Sequence, residues 1–163
     1  MKFLFKKIYI VLILLILLLV ESKAFAKDNN ISYTSKNISN YFSGIISVNQ
    51  DYATEAFGYL KKVQSLKNIH SRYNIEFIRT LVMLEDFEQA FAFSKKIWKE
   101  ETPLFEADLL LGLDFFIKKD YTNAEKYFER LNEISRYNLY FDNFVGNTLI
   151  AWNKASEKST QYS

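Results

Sequence analysis

From Ile38 onward, apolar residues recur at spacings of three and four, the interval that gathers them on one face of a helix. The whole chain holds one proline and four glycines, and no Asn-Gly or Asp-Gly pair that would close a hairpin. The pattern predicts an all-α fold, with helices over 38–50, 53–67, 72–84, 87–99, 103–117, 121–134 and 139–155. Asp51-Tyr52, Asp86-Phe87 and Asp120-Tyr121 each follow one apolar run and open another. The stretches KNIHSRYN (67–74) and EETPLFEA (100–107) separate successive helix pairs. In the first, Ser71 reads as a cap beside a turn residue, His70. In the second, Thr102 reads as the N-cap and Pro103 as the first helical residue.

The helix pairs recur. Ala56, Ala90 and Ala124 stand 34 residues apart, followed three places on by Tyr59, Phe93 and Tyr127, and seven places on by Val63, Ile97 and Leu131. A column in the first helix of each pair reads Gly44, Ile78, Gly112 and Gly146. Small residues at matched heights let two helix backbones approach closely, and large apolar residues a turn away fill the seam. A hairpin of two short helices cannot bury its own apolar faces alone, so successive copies are expected to stack.

On these residues the chain resembles the tetratricopeptide repeat family, whose 34-residue unit is helix-turn-helix. The resemblance covers about 38–155, as three repeats and one lone terminal helix. The stretch DLLLGLDFFIKKDYTNAEKYFERL supplies Leu111, Gly112, Phe115, Tyr121, Ala124 and Phe128 in the family's order. Departures are plain: Asn40, Asn74, Asp108 and Asp142 replace the family's first-helix tryptophan, Ile78 replaces a small residue, and Ser94 a large one. In the first copy Asp51-Tyr52 also falls one residue early relative to Ala56. The resemblance implies a right-handed α-solenoid of helical hairpins, and a concave side lined by the first helix of each pair.

Placed residue by residue, that side implies a protein-binding groove. It comprises Tyr41 and Ile45; Arg72, Ile75, Arg79 and Met83; Leu109, Leu113 and Phe116; and Tyr140 and Asn143. Much of the set is apolar, so a core role competes with a binding role at every position. Helix 103–117 is apolar on nearly all sides, which requires either burial on two faces or a groove that expects an occupant. A helix or extended peptide is the ligand such a groove suits. A clamp for acidic chaperone tails is not expected, because Tyr41, Ile75 and Leu109 stand where its cations would be.

The first 26 residues change the reading of charge and place. Lys2, Lys6 and Lys7 precede an apolar run from Ile8 to Val20, and Ala24-Phe25-Ala26 has the form of a signal-peptidase site. The run is shorter than the roughly 20 residues a helix needs to cross a bilayer. Residues 1–26 are therefore expected to be a cleaved signal peptide, 27–37 a flexible lead-in, 38–155 the repeat domain and 156–163 a polar tail. The periplasm or cell envelope is the expected location, with membrane association only if the leader stays. Four lysines and one glutamate make the leader +3, so the remainder of a +2 chain is −1. A near-neutral, mixed surface does not suit nucleic acid.

Candidate chemistry is sparse. His70 is the one histidine and there is no cysteine, so no metal set, cofactor site or nucleophile–base pair suggests itself. The expectation is a non-catalytic scaffold binding a protein or peptide. Two alternatives stay open: a membrane-tethered envelope assembly factor, and the N-terminal portion of a longer chain, since ASEKSTQYS follows the last first-type helix without a partner.

Overall fold

In a computed structural model the described residues are 33–134 and 139–161, with side chains described over 33–134 and 144–160. The expected leader, with its cleavage site, and most of the lead-in lie outside them. All regular structure among the described residues is helical: α1 (Ser35–Asn49), α2 (Ala53–Leu60) continued as a 3₁₀ stretch (Lys61–Asn68), α3 (Ser71–Met83), α4 (Phe87–Ile97), α5 (Phe105–Ile117), α6 (Tyr121–Leu131) and α7 (Leu139–Gln161). Consecutive helices pack on each other, and α3 also touches both α1 and α5. No helix among the described residues is long and apolar enough to cross a membrane.

The backbone repeats where the side chains do not. Helices α1, α3 and α5 end at Asn49, Met83 and Ile117; α2, α4 and α6 begin at Ala53, Phe87 and Tyr121; α3 and α5 begin at Ser71 and Phe105. Each series advances by 34. Between α1 and α2 the Tyr52 N–H donates to the Ser47 carbonyl (2.9 Å) and the Asp51 N–H to that of Val48 (3.1 Å). The same two bonds recur at Asp86, Glu85, Leu81 and Val82, and again at Asp120, Lys119, Phe115 and Phe116. This is the Schellman closure of a helix, which needs a left-handed residue just past the end. Asp51, Glu85 and Lys119 supply it, with φ of 61°, 57° and 62°. The register also explains the early Asp51: Tyr52, not Asp51, stands in the N-cap column of Asp86 and Asp120. Tyr52 makes no side-chain cap bond, whereas Asp86 and Asp120 accept from the N–H groups of Gln89 and Asn123.

Several expected boundaries move, each for a physical reason. Helix α1 starts at Ser35, because Thr34 caps it by accepting from the Asn37 N–H (3.2 Å). The run expected at 53–67 leaves the α form at Leu60, and Val63 (φ −120°, ψ 29°) interrupts the 3₁₀ stretch that follows. His70, not Ser71, caps α3: its Nδ1 accepts from the Tyr73 N–H (3.3 Å), so it is half-buried rather than a free turn residue. Thr102 and Pro103 do not open α5. That helix begins at Phe105, where the Asp108 carboxylate reaches back to accept from the Leu104 N–H (3.2 Å). Helix α7 continues past 155 to Gln161, through residues expected to be tail.

Candidate functional site

The small-residue columns sit at helix crossings. Ala56, Ala90 and Ala124 are fully buried. A Cβ added to Gly44 would run into the Leu60 side chain, one on Gly112 into the Phe128 ring, and one on Gly146 into Asn132 and the Phe128 carbonyl. In the second copy the residues 34 places from Gly44 and Leu60 are Ile78 and Ser94, both buried. At these two matched positions the large and the small residue have changed helices.

The crossings orient the first helix of each pair, and with it the proposed groove residues. On α1, Tyr41 and Ile45 are half-buried and pack on a core that runs from Val48 through Tyr73 and Phe77 to Leu110. Met83 packs on the same core from α3, and Ile75 is half-buried. Arg72 and Arg79 flank Glu76, whose side chain is 2% exposed while theirs are 50% and 49%. Arg72 Nη2 lies 2.6 Å from Glu76 Oε1, and Arg79 Nη1 a loose 4.0 Å from Oε2. Burial pushes the Tyr41 phenol above its ordinary range; Arg72 opposes this and Glu76 adds to it. The Tyr41 ring also lies 5.1 Å from that of His70. Beside Ile45, Ile75 and Met83, this end of the set thus holds its polar groups: a phenol and two half-exposed guanidinium groups around the buried Glu76 carboxylate.

The other end is apolar. Leu109, Leu113 and Phe116 on α5 are half-buried against a second core formed by Ala124, Phe128, Leu131 and Ile134, where Val145, Leu149 and Ile150 of α7 also pack. The Phe116 ring lies 6.1 Å from that of Trp152. Meanwhile Ala107 and Leu110 of the same helix belong to the first core. Helix α5 is therefore apolar on opposite sides because it serves two cores. Tyr140 and Asn143 fall on α7, but their side chains lie outside the described residues. Two clefts, of about 350 and 480 Å³, fall elsewhere, the first around the His70 cap and the second between α4 and α5.

One polar cluster was not visible in the sequence pattern. Asp108, fully buried, accepts from Arg130 Nε (2.9 Å), Trp98 Nε1 (2.8 Å) and the Leu104 N–H. Arg130 gives two further N–H groups to the carbonyls of Glu100 (2.9 Å) and Lys99 (3.0 Å), and its guanidinium lies over the Trp98 ring. Every strong group here is occupied by the fold. Among the described residues no group of histidine, aspartate and glutamate side chains is placed to hold a metal ion. No protein-family model, curated protein or solved structure matches the chain.

Proposed function

We propose that this chain is a non-catalytic scaffold of tetratricopeptide type, a right-handed solenoid that binds a peptide or helix along the first helices of its pairs. The observation that carries the reading is the 34-residue recurrence of helix starts, helix ends and left-handed turns, kept by three different residues at the turn position. A backbone that repeats while its side chains vary is what stacked hairpins require. The α1–α3–α5 contacts follow the order such stacking needs. The groove would offer Tyr41, Arg72 and Arg79 to polar groups of the ligand, and Leu109, Leu113 and Phe116 to its apolar side chains. The periplasm or cell envelope is the proposed place of action, on the strength of the leader's composition.

The test is Phe116→Ala, compared with wild type for capture of partners from envelope extract and for denaturant stability. A half-buried aromatic anchor should weaken capture by about 1–3 kcal/mol. Its stability loss should stay below the roughly 3–5 kcal/mol of a fully buried phenylalanine. A large loss of stability with capture unchanged would instead make Phe116 a core residue between α5 and α7.

A further inference from the structure

Helix α1 exposes a ridge of large apolar side chains at four-residue spacing: Ile38 (46% exposed), Phe42 (58%) and Ile46 (55%). In α3 the positions 34 residues on from Phe42 and Ile46 are Glu76 and Thr80, which are 2% and 0% exposed. Glu76 is close enough to Tyr41 of α1 to shift its phenol, so this side of α3 is the one covered by the preceding first helix. In α5 the position matching Phe42 is Leu110, 7% exposed on the side toward α3. On α1 the same side has no covering helix among the described residues, and it is more apolar than its counterpart on α3.

We propose that a second copy of the chain covers it, α1 against α1 across a two-fold axis. The face is suited to its own image in shape. Beside the ridge, at one residue's offset, runs a row of small side chains: Ser35, Ser39 and Ser43. A ridge adjoining a shallow groove on one helix lets each copy's ridge lie in the other's groove, which is the self-complementarity a two-fold interface demands. It is suited in charge as well. The exposed residues on and beside the ridge are Ser35, Ile38, Ser39, Phe42, Ile46 and Asn49, all uncharged, so two identical faces meet without repulsion. Lys36, on the flank, is the one charged residue of α1. The contact is small. One helix face per copy falls at or below the low end of specific interfaces, about 1,200 Å² in total, so the dimer is a weak one that forms with rising concentration.

The absence of cysteine makes the test direct. In the full chain, Ser39→Cys places a single thiol beside the proposed axis, and mild oxidation is expected to give a product of twice the chain mass. Thr122→Cys, exposed on α6, should give at least tenfold less. Adding Phe42→Asp to Ser39→Cys should lower the dimer yield at least tenfold while leaving the urea midpoint in place, because Phe42 is more than half exposed. The wild-type protein should pass from monomer toward dimer in sedimentation equilibrium as its concentration is raised. The proposal is overturned by cross-linking from Ser39→Cys no stronger than from Thr122→Cys, or undiminished by Phe42→Asp. A cross-linked product containing a different protein overturns it too, as does a monomer at every concentration.

Discussion

Asn74 and Asp108 occupy the same place in successive copies, and each ties the link in front of its helix to that helix. Asn74 does so with one bond, from Nδ2 to the Lys67 carbonyl (2.9 Å). Asp108 gathers Trp98, Leu104 and Arg130 around its carboxylate. The difference follows from the links themselves. The first is a 3₁₀ stretch, whose backbone groups largely bond one another, so a neutral amide capping one carbonyl suffices. The second, between Trp98 and Leu104, has no helical bonding of its own, and its carbonyls at Lys99 and Glu100 need outside donors. Arg130 provides them, and a buried guanidinium in turn requires a buried anion. The residue 34 before Arg130 is Lys96. With no carboxylate at position 74 to meet it, it lies near Lys67 and pushes that amine's pKa down.

The contrast is broken most directly at Asp108. Asp108→Asn leaves Arg130 buried without its anion, and a loss of about 3–5 kcal/mol in urea denaturation is expected. Asn74→Ala removes one neutral bond and should cost about 1 kcal/mol. Comparable losses would mean that the two links are held alike. The double change Asp108→Leu with Arg130→Met should recover some of either single loss, because it leaves no unpaired charge.

The second contrast is between crossings. Gly44 faces Leu60 and Gly112 faces Phe128, whereas the second copy has Ile78 and Ser94, with the Ser94 hydroxyl buried and unbonded. Ser94→Phe alone should overpack this crossing and cost about 1–3 kcal/mol. Combining it with Ile78→Gly restores the arrangement of the third copy, and the pair should couple favourably by about 1 kcal/mol or more in thermal melts. Strictly additive losses would show that the two residues do not oppose each other.

What the sequence made legible was whatever is written in residue size and period. Apolar spacing located the described helices, though not all of their ends, because burial of one face is a side-chain property. The alanine and glycine columns marked close approaches, because few residues fit there. The left-handed turns were hidden, since Asp51, Glu85 and Lys119 carry none of the glycine signal such positions usually show. The Asp108–Arg130 pair was hidden for a different reason: its members are 22 residues apart, on separate helices, and look like any two surface charges until the fold closes. The proposed groove residues were legible only as apolar or polar character. Apolar character on α5 reads the same whether it serves a ligand or a second core, and the second core claims much of it.

The smallest effect expected is also the sharpest check on the equivalence of the three turns. A side chain in the left-handed region costs roughly 1–2 kcal/mol through the clash of its Cβ with the following carbonyl. Glycine removes that cost but enlarges the freedom of the unfolded chain, an opposing term of about 0.4–1 kcal/mol. Lys119→Gly should therefore stabilise the protein by up to about 1 kcal/mol, whereas Lys119→Ala, which keeps the Cβ, should gain nothing. Asp51→Gly and Glu85→Gly should behave alike, since φ there differs from that of Lys119 by only a few degrees. The three turns lie 34 residues apart and form separate hydrogen-bonded closures, so their gains should add in a triple variant. Loss of stability on introducing glycine at any one of them would single out that turn as different from the other two, and the backbone repeat would then fail at that copy.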